Sequence, residues 1–391
     1  MHAENLYSTT SRHKMDRHVG QYTELHPHAS NGFKGSHQLV LPPIAQRFIR
    51  NQPQSGFDGD SILDNGSILF DLYSVGFTEK LALELSLTVS NNPVSILGQF
   101  LIDRVELMTS NNDILQTIFG MNVYLDKIHQ TKEYHDRVRD YENISEDFDA
   151  LAIPVGTKRL LLHIPTWIDG SHPKLNSIRD ELKLKVYFSR NGVTAGLLSD
   201  IRVDNIDMIQ KVSVLDGKSE SMEIQKKSSI KQSFRVLNPV QFAYNNLTMN
   251  PSSQYDIKLS GSSGSLCSYL IFTVRRQTDP ISEFSQLDSY ELVDAKGSIF
   301  AIRINNELNK EFSLAFQGEI FNEKNIYAWP FSIDVESARQ GSQTGFFSFS
   351  GDERLRLYTP STWTAGDYTI QVFGYEYAEI VIDKGHLSIK R

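Results

Sequence analysis

Residues 81–89 read Leu81-Ala82-Leu83-Glu84-Leu85-Ser86-Leu87-Thr88-Val89. An apolar side chain stands at every odd position, the period of two that a strand buried on one face requires. A helix would scatter the same leucines around its circumference. The alternation recurs at Leu182, Leu184, Val186 and Phe188, with Lys183, Lys185 and Tyr187 between them. It recurs again at Phe300, Ile302 and Ile304, and at Leu355 and Leu357 flanked by Arg354 and Arg356. Polar turn clusters punctuate these runs: Ser90-Asn91-Asn92-Pro93, Ser110-Asn111-Asn112-Asp113, Arg190-Asn191-Gly192, Gly261-Ser262-Ser263-Gly264 and Thr364-Ala365-Gly366-Asp367. Many short strands with polar turns describe an all-β sandwich or barrel. Residues 116–125 and the charged stretch 126–149 break the pattern and read as helix or as a long surface excursion.

A chain of 391 residues exceeds what one hydrophobic core usually serves, so two domains are expected. The best boundary is the polar segment DGKSESMEIQKKSS at 216–229, between two β-rich blocks. The expected layout is an N-terminal arm at 1–57, a first sandwich at 58–215, a linker at 216–229 and a second sandwich at 230–391. Each block is long enough for eight strands of about five to six residues. No short-period repeat argues for a solenoid or propeller.

Composition removes several function classes. Hydrophobic residues make up 40% and charged residues 22%, ordinary globular usage that argues against a disordered or fibrous chain. The net charge of −8 gives no general electrostatic reason to hold nucleic acid, so sequence-specific nucleic-acid binding is not expected. Residues 1–40 carry six of the eleven histidines, and their charges nearly cancel: Arg12, Lys14, Arg17 and Lys34 against Glu4, Asp16 and Glu24. The single cysteine, Cys267, excludes an internal disulfide and a cysteine-rich zinc site. Beside Tyr269-Leu270-Ile271-Phe272 it reads as a small buried thiol. Neither a signal peptide nor a membrane-spanning apolar run is expected.

Motifs that could carry chemistry fail on their spacing. Gly217-Lys218-Ser219 resembles the end of a phosphate-binding loop, but Val212 stands where the first glycine belongs. Asp58-Gly59-Asp60 with Asp64-Asn65-Gly66 offers oxygens to calcium, yet Ile62 interrupts the ligand pattern and a turn-rich lead-in to the first strand fits better. His26-Pro27-His28, with His13 and His18 nearby, lacks scaffolding for a metal. His163 lies in an apolar run as an ordinary sandwich residue. No G-x-S-x-G elbow occurs, and Asp140 and Glu142 are not distinguished from other carboxylates. Phe373, Tyr375 and Tyr377 at alternate positions read as core or subunit-contact packing. No catalytic, cofactor-binding or metal-ligating residue is assigned, and no cofactor is expected.

Several segments resemble the double jelly-roll major capsid proteins of tailless icosahedral viruses, many with an internal membrane. In the first block, Phe100-Leu101-Ile102-Asp103-Arg104-Val105-Glu106-Leu107 followed by Asn112-Asp113-Ile114-Leu115 looks like the family's strand leading into a turn and helix. LLLHIPTWIDGSHPKLNSIRDELKLKVYF at 160–188 is similar to its sequence of an apolar strand, an aromatic strand and a charged alternating strand. In the second block the resemblance lies in Ile326-Tyr327-Ala328-Trp329-Pro330-Phe331-Ser332-Ile333, Thr344-Gly345-Phe346-Phe347-Ser348-Phe349-Ser350 and Glu353-Arg354-Leu355-Arg356-Leu357. The ending, Tyr368 to Tyr377 and then Glu379-Ile380-Val381-Ile382-Asp383-Lys384-Gly385-His386-Leu387, resembles a closing hairpin.

The resemblance implies two tandem eight-stranded jelly rolls and a structural, non-enzymatic major capsid protein. It implies homotrimeric, pseudo-hexagonal capsomers that tile a virion shell, made in the host cytoplasm. Implied partners are the chain itself, neighbouring capsomers, other capsid proteins such as pentons, and an internal viral membrane reached by the arm. The stretch 126–149 is expected as an outer loop. The alternatives are a viral spike or minor capsid protein, and a carbohydrate-binding or carbohydrate-processing β-sandwich.

Overall fold

The computed structural model describes residues 44–73, 77–128, 139–168, 181–215, 231–300, 302–314, 323–339 and 343–390. The linker 216–229, residues 1–43 of the arm and residues 129–138 of the charged stretch lie outside these.

The first block contributes β1 (Ile44–Asn51), β2 (Ser67–Asp71), β3 (Phe77–Val89), β4 (Ile102–Thr109), β5 (Ile114–Phe119), helix α1 (Gly120–Ile128), β6 (Gly156–Ile164), β7 (Leu182–Phe188) and β8 (Ile201–Leu215). They form two antiparallel sheets, ordered β1-β8-β3-β6 and β2-β7-β4-β5. The second block contributes β9 (Gln232–Met249), β10 (Gln254–Lys258), β11 (Leu266–Arg276), β12 (Ser289–Asp294), β13 (Gly297–Ser298), helix α2 (Asn306–Leu314), β14 (Tyr327–Pro330), β15 (Arg354–Tyr358) and β16 (Gly366–Asp383). Its sheets run β9-β16-β11-β14 and β10-β15-β12-β13. Setting aside the short strands Val94–Ile96, Leu151–Ile153 and Val193–Ala195, which form a small third sheet, and Ile304–Asn305 and Phe347–Ser348, adding eight to each strand number of the first lobe reproduces the second, and a helix follows the fifth of these strands in both. This is the two-sheet order of a jelly roll, written twice in one chain. A final strand, β17 (His386–Lys390), pairs with the end of β16.

The alternation that announced β3 does what it requires. Leu81, Leu83, Leu85 and Leu87 are fully buried. Leu83 lies between Met208 of β8 and Leu162 of β6, and Leu85 between Ile206 and Leu160. Each such buried side chain contributes about 1.5–3 kcal/mol. The closing hairpin turns on Lys384 and Gly385, both at positive φ (52° and 87°), the twist a two-residue connection favours.

The structure departs from the sequence reading in three places. Residues 44–51, placed in the arm, form an edge strand paired along its length with β8. Phe300 and Ile302 are not in a strand, because Gly297, at φ 127°, turns the chain after β12 and the side chain of Asn305 caps α2 by accepting the Leu308 N–H at 3.0 Å. Residues 166–168 form a turn rather than an aromatic strand, with the Trp167 N–H donated to Gln116 Oε1 at 3.0 Å.

The two cores do not divide at the linker. Val236, Ala378, Ile380, Ile382 and Leu387 pack into the core of the first lobe, and Trp167 meets Phe234 at 5.9 Å. The paired β9 and β16 are each 18 residues long, so they serve their own sandwich at one end and the first lobe at the other. Where β9 carries a register shift, the ring of Phe242 lies over Gly374 so closely that a Cβ there would fall within it. Gly374→Ala is therefore expected to destabilise the chain by about 1–3 kcal/mol in chemical denaturation. Replacing Phe242 by a smaller residue in that background should recover part of the loss.

Candidate functional site

A third hydrophobic cluster joins the two lobes. Its first half is α1, where Met121, Tyr124, Leu125 and Ile128 fall at i, i+3, i+4 and i+7 and so make one apolar stripe. Val123, off the stripe, packs into the first lobe's own core. The Asn122 side chain accepts the Phe119 N–H at 3.0 Å at the start of the helix and donates to the Tyr375 hydroxyl of the second lobe at 3.3 Å. Leu97, Phe100, Ile144 and Phe148 complete this side.

The opposing half is the outer face of the β9-β16-β11-β14 sheet. Tyr269 and Ile271 on β11, Phe373 on β16 and Ala328 on β14 point away from their own sandwich and are buried by the first lobe. Phe119 meets Phe373 at 5.7 Å, Tyr124 meets Phe284 at 6.4 Å, and Tyr269 stacks on Tyr375 at 4.3 Å. The aromatic stripe read at 373, 375 and 377 is thus contact packing within one chain, with Tyr377 accepting the Thr344 N–H at 3.4 Å.

Polar groups fix the junction's register. Asp149 accepts from Ser282 and pairs with Lys324, each at 2.8 Å, both across the lobes. The Tyr124 hydroxyl donates to the Phe148 carbonyl at 3.0 Å, and burial pushes its pKa upward. Beneath the helix, Lys127 forms an ion pair with Glu142, both side chains nearly devoid of solvent. Burial holds the Glu142 carboxyl above its ordinary range, opposed by the Lys127 ammonium. Asn143 donates to the carbonyls of Ile96 and Leu151 at 2.7 and 2.9 Å.

These contacts correct the outer-loop expectation for the described ends of 126–149, residues 129–138 lying outside the described residues. Its two described ends turn inward, because Ile128, Ile144 and Phe148 belong to the junction core. The sequence reading also passed over Lys127 and left Glu142 undistinguished among the carboxylates. A signal was present, since a helix with apolar residues on two sides is buried on both, and a lysine within it needs a counter-charge.

The remaining positions weighed for chemistry are accounted for locally. Asp58 accepts from the Ser61 hydroxyl and the Asp60 N–H, a turn that holds its carboxyl below the usual range. His163 Nδ1 lies 3.7 Å from Asp126 at the junction's edge. Cys267 is buried, and burial drives its thiol pKa up. The Gly217-Lys218-Ser219 and His26-Pro27-His28 segments lie outside the described residues. Among the described residues no three metal-ligating side chains gather, and no helix is long and apolar enough to cross a membrane.

No family model and no curated protein matches the sequence. Solved structures do match. PBCV-1 VP54 superposes with a TM-score of 0.69 at 12% identity, covering 92% of this chain and 99% of that one. The Faustovirus major capsid protein gives 0.59 at 10% identity, over 95% and 98%. The mavirus major capsid protein gives 0.54 at 10% identity, over 92% of each chain. Two eight-stranded sandwiches of one topology, joined by a buried junction and superposing over nine-tenths of the chain, give this protein the double jelly-roll fold of those capsid proteins.

Proposed function

We propose that the chain is the major capsid protein of an icosahedral virus, a structural subunit without catalytic activity that is made in the host cytoplasm and resides in the virion. The observation that carries this reading is the fusion of two jelly rolls by a solvent-free junction, superposing nearly end to end on capsid subunits. Two similar lobes per chain let three chains present six lobes around a threefold axis, a pseudo-hexagonal tile that can cover a large shell through repeated contacts. Other capsid proteins such as pentons would fill the fivefold positions, and the arm would strap neighbouring tiles or reach an internal membrane.

Light scattering on the purified chain tests the reading. The expected mass is three times that of the monomer, with hexagonal outlines in the electron microscope. A monomer at high concentration would overturn it. Deleting residues 1–40 should leave the trimer intact and prevent shell assembly; shells that form normally would refute the strap role.

A further inference from the structure

Beside β8 lies a cavity of about 470 Å³ that takes no part in the junction. β1 ends where Asn51 pairs with Met208, and the chain then leaves the sheet. It returns at Gly59, whose carbonyl accepts the Val203 N–H at 2.9 Å. Glycine is required there, because a Cβ would lie 2.2 Å from the Val203 carbonyl oxygen. Between these two contacts no described strand pairs with residues 204–207 on this side, and loop 52–59 lines the gap facing them. β8 also shifts register between Val203 and Asn205. The extra residue is Asp204, and such a bulge re-aims a side chain out of the ladder's alternation.

The lining is polar and its charges balance. Arg202, its side chain 65% exposed, has Asp204 Oδ1 at 3.6 Å and Asp60 Oδ1 at 4.0 Å. Asp204 takes the Thr88 hydroxyl on its other oxygen at 2.5 Å. Asp207 is neutralised by Arg50 and accepts from the Asn205 amide, each at 2.7 Å. The Gln52 side chain has no hydrogen-bond partner among the described residues. Phe57 supplies an apolar wall, half-buried and packed on its other side against the first lobe's core.

This composition selects a neutral polyol. A phosphate needs surplus positive charge and a divalent cation surplus carboxylates. Neither is left in the lining once Arg202 is set against Asp204 and Asp207 against Arg50. A hydroxyl both donates and accepts, so two adjacent hydroxyls can engage the Arg202 guanidinium and the Asp204 carboxylate together. The Phe57 ring offers a flat apolar surface for the C–H face of a sugar. The volume falls within the range of small-molecule sites, about 300–1,000 Å³. We propose that this cavity binds a neutral saccharide, with Arg202 and Asp204 holding adjacent hydroxyls and Phe57 against the ring. Ile44 pairs with Leu215, so the arm and the linker meet this sheet at the end away from the cavity. With the arm on the inner side of a shell, the cavity opens outward and suits a glycan of the host surface. That use rests on the capsid reading above; the binding itself does not.

Saturation-transfer NMR on the purified full chain tests it, with glucose, galactose, mannose, N-acetylglucosamine and lactose as probes and inorganic phosphate as the anion control. At least one sugar is expected to bind with a Kd on the order of 1 mM. Arg202→Ala and Asp204→Asn, each checked for a wild-type circular dichroism spectrum, are expected to weaken it roughly tenfold or more, the worth of a hydrogen bond to a charged group. Gln52→Ala, on the exposed loop, replaces either variant that loses its fold. Absence of transfer to every sugar, binding that survives the substitutions, or phosphate binding abolished by Arg202→Ala would each overturn the assignment. A chain that binds sugar through these residues yet stays monomeric at high concentration would overturn the capsid reading alone.

Discussion

Phe373→Ala is expected to cost about 3–5 kcal/mol and to separate the melting of the two lobes. The ring is buried at the junction against Phe119, on a strand paired on both sides by β9 and β11, so the backbone has little freedom to collapse into the vacated space. Removing it deletes contacts that belong to neither sandwich core alone. The three tryptophans divide between the lobes, Trp167 in the first core and Trp329 and Trp363 with the second. Calorimetry should resolve two transitions where the wild type shows one. A single transition with a loss under about 1 kcal/mol would mean that the junction does not couple the lobes.

Lys127→Ala is expected to cost a similar amount, about 3–5 kcal/mol, by leaving the Glu142 carboxylate buried without its counter-charge. The pH dependence follows from the sign of the shift. Burial already raises the Glu142 pKa, and losing the ammonium raises it further. The native variant then binds a proton that the unfolded chain releases at the ordinary carboxylate pKa. Its stability is greatest below that value and falls as pH rises through the folded pKa. The penalty measured by denaturation should therefore shrink on acidification. A penalty independent of pH would show that the pair is not ionised. Lys127→Met with Glu142→Leu, which removes both charges, should return close to wild-type stability.

Strands with one wet face were legible in the sequence, and elements covered on both faces were less so. β3 and β7 alternate because their outer sides are only partly covered by the chain itself. β11 reads as an unbroken apolar run from Tyr269 to Phe272, since its inner face fills the second core and its outer face meets α1. β1 escaped notice for the opposite reason. It is an edge strand whose Phe48 is 72% exposed, so hydrophobicity does not mark its buried side. α2, rich in Asn, Glu and Lys, buries too narrow a stripe to announce itself. The junction was hidden because it depends on two distant segments, α1 and the strands β11 and β16, neither of which names its partner.

The far end of the β9–β16 ribbon bears on how the chain is made. Ile380, Ile382 and Leu387 complete the first lobe's core, yet they are made long after the leucines of β3. At roughly 5–20 residues per second, the leucines of β3 wait on the order of 15–60 s for them. The first lobe stays open until these residues are made, and a chain cut short before them keeps an open core. Only a chain that carries the β16–β17 hairpin closes the first lobe, so a truncation before Ile380 is expected to leave that core exposed.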